Sequence, residues 1–327
     1  FASIAGAGPI VGPVMAAHFG WIPAALWILL GSVFIGAFHD FAALFLSVRD
    51  QGRSIGHVIE NLVGYAGRQV FLIFSWAVLV LVVAMFGILV AKTFVATPAV
   101  ATASLLFIAM APVFGWLVYR KNVSILAGSL IFVPMLFFFV WVGTVLPCDL
   151  SGYIEKPQDI ERVWICVLLV YVFVASVIPV WMLLQPRDYL NSYLLYAMMI
   201  LGFVGVVLVA PRFGMPAFAG FVAKTPKGEA QWLFPLLFVT IACGACSGFH
   251  SLVSSGTTAK QVANERHILP IGYCGMLVEG VLALLALVSV AYLTPASFGE
   301  TMKGGAVGAF AGGLATFAEN EIGRAHV

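Results

Sequence analysis

The stretch FASIAGAGPIVGP, residues 1–13, decides how this chain folds, because its glycines and prolines interrupt an otherwise apolar region. It is echoed by FVTIACGACSGFH, residues 238–250. In both stretches a similar apolar pentapeptide runs into a glycine-rich break, and a histidine follows, His18 or His250. Irregular backbone at membrane depth survives only where it is buried in protein or lines a wet cavity. Two matching breaks are typical of a transporter with internal repeats, whose site lies where half-helices meet. The alternative is that five similar positions arose by chance.

The composition indicates a membrane protein. Hydrophobic residues make up 62% of the 327 residues and charged residues only 9%, and the mean hydropathy is +1.07. A soluble domain carries about 25% charged residues, so this chain needs lipid around it. The net charge of +2 gives no sign of a nucleic-acid partner. The five cysteines are scattered, which argues against a disulfide framework.

Apolar runs long enough to cross a bilayer recur along the chain. A helical span needs about 20 apolar residues, which predicts an all-α polytopic bundle of about nine to ten transmembrane helices, some of them broken. The runs are 1–19 (incomplete), 21–48, 70–91, 99–119, 123–145, 163–184, 193–210, 232–250, 271–293 and one that begins near Ala306. The side that carries Arg49 has more Lys and Arg, so we expect it to be cytoplasmic.

The two breaks also predict where an anionic substrate binds. A half-helix that starts at a break presents free amides, whose partial positive charge can hold a carboxylate. We therefore expect residues 6–13 and 243–248 to be non-helical and to approach one another, with Pro9 or Pro13 beginning a half-helix. The alternative is close packing by small residues, which the spacing of Gly8 and Gly12 allows. The predicted substrate-binding residues are Gly6, Gly8, Pro9, Gly12, Cys243, Gly244, Ser247 and Gly248.

Ionisable residues inside the spans predict proton coupling. Asp40 lies nine residues before Arg49, roughly 13 Å at helical rise, and Glu279 lies at a similar depth in its own span. A charge there costs about 2.5–3.5 kcal/mol, so Asp40 should face the interior and have a partner, His250 or Lys260. The predicted proton-coupling residues are His39, Asp40, His250 and Glu279, although His39 should point to another side of its helix. The alternative is a structural polar pair that ties helices together.

The sequence lacks the usual motifs of enzymatic chemistry. Cys243-Gly-Ala-Cys246 matches Cys-x-x-Cys, but zinc would need two further ligands and a redox role needs a thioredoxin-like context. His57-Val-Ile-Glu60 has the wrong spacing for a metalloprotease, and no Gly-x-Ser-x-Gly elbow is present. We therefore expect no enzyme, metal site or cofactor. A channel or a nutrient-responsive membrane sensor is the alternative class.

Several motifs together resemble the carbon starvation protein A family of bacterial inner-membrane transporters. They are FASIAGAGPIVGP, GAFHDF, RDQGRSIG, PVWMLLQPRDYLNSY, FVTIACGACSGFHSLVSSGTTAKQ and IGYCGMLVEG. The resemblance implies uptake of peptides or pyruvate during carbon starvation, driven by protons, with alternating access around two broken helices. It also implies a distant relation to the amino acid–polyamine–organocation superfamily, and hence an inverted repeat. The implied partners are the substrate, protons and the bilayer.

The two ends of the chain are set apart. We treat residues 1–320 as a single transmembrane transporter domain that is truncated at both ends. Residues 321–327, EIGRAHV, are expected to be a translated adapter rather than native sequence.

Overall fold

The computed structural model describes residues 6–225 and 228–324. The first pentapeptide of the sequence echo, at residues 1–5, lies outside these ranges, as do the last three residues of the expected adapter tail. The elements are, in order, α1 (Gly8–Ala16), α2 (Trp21–Arg49), α3 (Ile55–Val63), α4 (Tyr65–Ala96), α5 (Pro98–Arg120), α6 (Ile125–Val145), α7 (Pro157–Val177), α8 (Leu184–Val209), β1 (Val222–Lys224), β2 (Ala230–Trp232), α9 (Leu233–Thr240), α10 (Ala242–Cys246), α11 (Gly248–Ser254), α12 (Glu265–Ala291), α13 (Pro295–Thr301) and α14 (Gly305–Arg324).

Seven of these helices are long and apolar enough to cross a bilayer, namely α2, α4, α5, α6, α7, α8 and α12. Each corresponds to an apolar run in the sequence, so the all-α membrane class is confirmed. The seventh helix of the chain, α7, ends at Val177 rather than at 184, because Ile178 precedes Pro179 and takes an extended conformation. The run 232–250 is instead three short helices, α9 to α11. The total of nine to ten spans and the inverted repeat stay predictions.

The chain forms two compact units. Among the described residues, the first unit contains 6–74, 198–225 and 228–324, and the second contains 75–197. All the predicted site residues fall in the first unit.

The first unit is built around α12. Twelve of the eighteen residues in Cys274–Ala291 are buried, on every side of the helix. A helix that is apolar all round belongs in the centre of a bundle. Short helices α1 and α10 pack against it, with α2 and α14 on other sides.

The second unit is held by aromatic and aliphatic packing between its helices. Phe94 of α4 meets Trp164 of α7 edge to face, with ring centroids 5.0 Å apart. Phe114 of α5 packs edge to face against Phe132 of α6 at 5.2 Å. Such aromatic pairs are favourable because the positive edge of one ring meets the negative face of the other.

The expectation that residues 6–13 and 243–248 are non-helical is wrong for most of these positions. α1 already begins at Gly8, and Cys243 to Cys246 lie within α10. Pro9 sits in the first turn of α1, where its missing N–H has no intrahelical partner to lose. The irregular positions are the bend at Gly6 and Ala7 and the extended residue Ser247, with ψ of 115°.

The expected approach of the two segments is confirmed, and the glycines explain it. A Cβ placed on Gly8 would lie 2.7 Å from the Cβ of Cys243, and one on Gly12 would overlap the carbonyl oxygen of Thr240. A Cβ on Gly244 would lie 3.3 Å from the Cα of Pro9. The small residues thus let α1 pack directly against α10 and the end of α9.

We expect Gly12→Ala to destabilise the protein, because its methyl group meets backbone rather than a side chain that can rotate away. Overpacking of this kind costs about 1–3 kcal/mol. The measurement is the unfolding midpoint of the full-length protein in detergent. Gly87→Ala is the matched control, since an added Cβ there has no atom within 4 Å. A Gly12→Ala protein as stable as the Gly87→Ala protein would contradict the packing argument.

Candidate functional site

Two carboxylates lie on either side of one imidazole inside the first unit. Asp40 of α2 has its Oδ2 2.7 Å from Nδ1 of His250 on α11, and Nε2 of His250 lies 3.1 Å from Oε2 of Glu279 on α12. The exposed fractions are 2% for Asp40, 3% for His250 and 0% for Glu279. The expectation that Asp40 faces the interior and has a polar partner is confirmed, and the partner is His250. Lys260 lies elsewhere, against Gly52.

The two contacts that His250 makes with the carboxylates differ in geometry. The Asp40–His250 contact is a hydrogen bond, whereas the His250–Glu279 contact has the distance of an ion pair without hydrogen-bond alignment. Among the described residues, Glu279 Oε2 makes no hydrogen bond at all. Its other oxygen, Oε1, has only the thiol of Cys243 at 4.0 Å. Burying a carboxylate with so few donors is costly, so Glu279 is the member of the group that most needs a further proton donor.

The local sequence of α2 turns Asp40 inward. Its buried neighbours Ala37, Ala43, Leu44 and Ser47 follow the spacing of one helical face. A π-helical segment, Gly31–Gly36, immediately precedes this face. Such segments shift the register of the residues that follow and are frequent at functional sites.

A second π-helical segment brings α12 close to α2. It covers Leu269–Tyr273, and a Cβ on Gly272 would lie 2.8 Å from the Cα of Phe41. Tyr273 donates its hydroxyl to the carbonyl oxygen of Val33 at 3.2 Å. This close approach places Glu279, two turns further along α12, beside the imidazole.

The break at Ser247 positions His250. α11 starts directly after the extended residue Ser247, which is buried, and it carries His250 and Ser251 on its buried face. Ser251 donates to the carbonyl oxygen of Gly248 at 2.8 Å, which closes the first turn. The break therefore places His250, on a seven-residue helix, within contact distance of carboxylates on the two long helices α2 and α12.

His39 also belongs to the group, although it stands on another, partly exposed side of α2 from Asp40, as expected. Its Nδ1 lies 3.2 Å from Oδ1 of Asp40. Unlike the other three members it is partly exposed, and it lines a groove of about 430 Å³. All four residues predicted for proton coupling are thus in one continuous set of contacts.

The predicted substrate-binding residues divide into two groups by their surroundings. Gly8, Gly12 and Gly244 lie in tight helix contacts, whereas a Cβ on Gly6 or Gly248 would have no atom within 4 Å. Open space beside the backbone is what a ligand needs, and it occurs at the bend at Gly6 and at the first residue of α11, directly after the irregular Ser247. Substrate binding by Pro9, Cys243, Ser247 and the five glycines stays a prediction.

Cavity size does not locate the site. A cavity of about 590 Å³ lies in the same unit, lined in part by His18, Lys224 and Lys303, and none of the four residues predicted for proton coupling lines it. Buried ionisable residues in a membrane protein are a better guide to function, because their cost must be offset. Within the described ranges, no three His, Cys, Asp or Glu side chains are placed to hold a metal ion.

Sequence reasoning missed the contact between His250 and Glu279 and the thiol of Cys243 beside Glu279. It treated Asp40 and Glu279 as separate groups because they stand on different helices. Their similar depth was the one signal that could have joined them. The two π-helical segments were also missed, because each overlaps an apolar run whose sequence pattern does not distinguish a π-helix from an α-helix.

Comparisons with known proteins agree on one family. Residues 1–321 match the family model described as Carbon starvation protein CstA. The chain is 39% identical over 298 residues to a protein from Campylobacter jejuni named Peptide transporter CstA, and 39% identical over 302 residues to the Escherichia coli protein of that name. It is 36% identical over 297 residues to the Escherichia coli protein named Pyruvate/proton symporter BtsT. Each alignment covers 90% of this chain but 41–42% of the relative, so the chain spans about two fifths of their length. No solved structure matches the chain significantly.

We expect Asp40 and His250 to stabilise the fold as a coupled pair. Removing one partner leaves the other buried without its counterpart, so Asp40→Asn and His250→Gln should each be costly while the double variant costs less than their sum. The coupling free energy of buried partners is about 0.5–3 kcal/mol. The measurement is a double-mutant cycle on the unfolding free energy of the full-length protein.

The exposed pair Glu300–Lys303 is the control for this cycle, with Nζ of Lys303 2.6 Å from Oε2 of Glu300. Its coupling should be below about 1 kcal/mol, as is usual for surface pairs. Additive effects of Asp40→Asn and His250→Gln would show that the contact contributes nothing to stability.

Proposed function

Because this chain belongs to the carbon starvation protein CstA family, we propose that it forms part of a proton-coupled secondary transporter that takes up peptides or pyruvate. Two relatives support this proposal by their names, Peptide transporter CstA and Pyruvate/proton symporter BtsT. The observation that carries it is the buried contact of Asp40, His250 and Glu279.

Charge explains why this group suits a proton. With both carboxylates ionised and the imidazole protonated, the group carries one net negative charge. One additional proton makes it neutral. Because an unpaired charge is disfavoured away from water, the group can hold that proton while it is closed off and release it when water reaches it. One proton would then cross in each transport cycle.

The placement of the group couples the proton to a change of shape. His250 stands on α11, which is separated from α10 only by Ser247, whereas Asp40 and Glu279 stand on long helices. A proton on a carboxylate weakens its attraction to the imidazole and so changes what holds α11 in place. A ligand shifts a conformational equilibrium only through such differential interactions. Alternating access would follow from movement of the broken segment.

The substrate and the proton complement one another. Peptides and pyruvate both carry a carboxylate. The amides of Gly6 and Gly248 stand where an added Cβ would have open space, next to the irregular residues Ala7 and Ser247. Pyruvate moving with one proton is electroneutral, whereas a zwitterionic peptide with one proton carries a net positive charge.

We expect proteoliposomes with the full-length protein to accumulate labelled pyruvate or a labelled dipeptide above its external concentration when the outside is more acidic. A protonophore should abolish the accumulation. An imposed negative interior potential should stimulate dipeptide uptake and leave pyruvate uptake unchanged, because only the first moves net charge. Competition between the two substrates decides which one binds. Equilibration without accumulation would indicate a channel and contradict the proposal.

We expect Asp40→Asn and Glu279→Gln each to lower proton-driven uptake at least about tenfold, the equivalent of ~1.4 kcal/mol. Both variants remove a group that exchanges a proton, so the dependence of uptake on external pH should also flatten. Exchange of labelled for unlabelled substrate at equal pH on both sides should persist, since it needs no net proton movement. Glu300→Gln, an exposed carboxylate paired with Lys303, is the control. Unchanged pH dependence in Asp40→Asn and Glu279→Gln would show that the group is structural.

A further inference from the structure

Of the four connected residues His39, Asp40, His250 and Glu279, only His39 is partly exposed. The side chain of His39 is 43% exposed, whereas Asp40, His250 and Glu279 are enclosed. A proton donor outside the described residues can touch the ring of His39 directly. The thiol of Cys246 near Asp40 is also partly exposed, but it has one exchangeable atom where an imidazole has two.

The contacts form a line of exchangeable atoms, with hydrogen bonds from His39 to Asp40 and from Asp40 to His250, and a contact at ion-pair distance from His250 to Glu279. His39 Nδ1 meets Asp40 Oδ1 at 3.2 Å, Asp40 Oδ2 meets His250 Nδ1 at 2.7 Å, and His250 Nε2 meets Glu279 Oε2 at 3.1 Å. Asp40 and His250, the two middle residues, each contact one neighbour with one side-chain atom and the other neighbour with a second side-chain atom. A carboxyl group can therefore take a proton on Oδ1 and give one from Oδ2, and an imidazole can take one on Nδ1 and give one from Nε2. One proton enters at His39 and one arrives at Glu279, so the transfer is balanced.

The groove beside His39 is where an outside proton donor would reach the ring. Its walls are largely apolar, and they include Phe38 and Leu46 of α2 and Ile55 of α3, while Ser251 is its second polar side chain. Ile55 begins the helix that follows the Arg49–Arg53 loop, so the groove extends towards the Arg49 side of the unit. With Nδ1 engaged by Asp40, Nε2 is the ring nitrogen of His39 left to exchange with the groove.

We propose that His39 passes protons between this groove and the buried carboxylates, with Asp40 and then His250 relaying them to Glu279. The proposal rests on the proposed proton coupling and adds the route. The titratable groups that face this line are the thiols of Cys243 and Cys246 on α10, near Glu279 and Asp40 respectively.

The titratable groups of neighbouring α3 are engaged by other residues. His57 contacts Arg53 at 2.6 Å, and Glu60 contacts Arg68 at 2.7 Å. They therefore lie outside the line that begins at His39, and His57 offers a control histidine in the same unit.

The test is His39→Gln in the full-length protein, with His57→Gln as the matched control. Glutamine keeps a side chain that can hydrogen-bond to Asp40 but cannot carry a proton. We expect proton-driven uptake of labelled pyruvate or dipeptide to fall at least about tenfold, the equivalent of ~1.4 kcal/mol, while equal-pH exchange stays normal. Added imidazole, which fits a groove of about 430 Å³, should restore part of the uptake.

Two results would overturn the route. Normal uptake with a normal pH profile in His39→Gln would show that protons enter elsewhere. An equal loss of exchange and of proton-driven uptake would show that His39 only holds Asp40 in place. Failure of the proposed function is a separate result, because it would be seen as wild-type protein that does not accumulate substrate, or as Asp40→Asn protein that still couples it to protons.

Discussion

The contact of two carboxylates with one imidazole, in a chain made for lipid, constrains the rest of the first unit. An ionisable group at membrane depth costs about 2.5–3.5 kcal/mol on insertion scales, so neither Asp40 nor Glu279 can face lipid or stand alone. His250 contacts both and lies on a different helix from either. The three helices are therefore held together by polar groups that none of them satisfies by itself.

Small residues make this contact geometrically possible. Between helices surrounded by lipid there is little hydrophobic driving force, so close packing and polar contacts must supply the attraction. A Cβ on Gly36 would lie 2.6 Å from the carbonyl oxygen of Ala245, and one on Gly280 would lie 2.9 Å from Oγ of Ser32. These approaches bring the backbones near enough for short side chains such as that of Asp40 to bridge them. Of the glycines predicted to contact a ligand, Gly8, Gly12 and Gly244 lie in tight packing, and Gly6 and Gly248 have open space beside them.

The proposed proton coupling is compatible with a family whose relatives are named for different substrates. The peptide transporter and the pyruvate/proton symporter of Escherichia coli are 39% and 36% identical to this chain over nearly the same stretch. The proposed proton coupling would serve either substrate, because both carry a carboxylate whose charge a proton can balance. Discrimination between them would then depend on contacts outside the Asp40–His250–Glu279 group.

The sequence by itself determined the lipid environment, the seven long spans, the inward face of Asp40 and the region of each break. These follow from composition and from periodicity within one helix, which are local properties of the chain. It did not determine that Gly8 and Cys243 are helical, because tertiary packing and the first-turn place of Pro9 override the low helix propensity of glycine and proline. Nor could it choose His250 over Lys260 as the partner of Asp40. That pair is 210 residues apart in the chain, and only the packing of α11 against α2 and α12 brings its atoms within 2.7 Å.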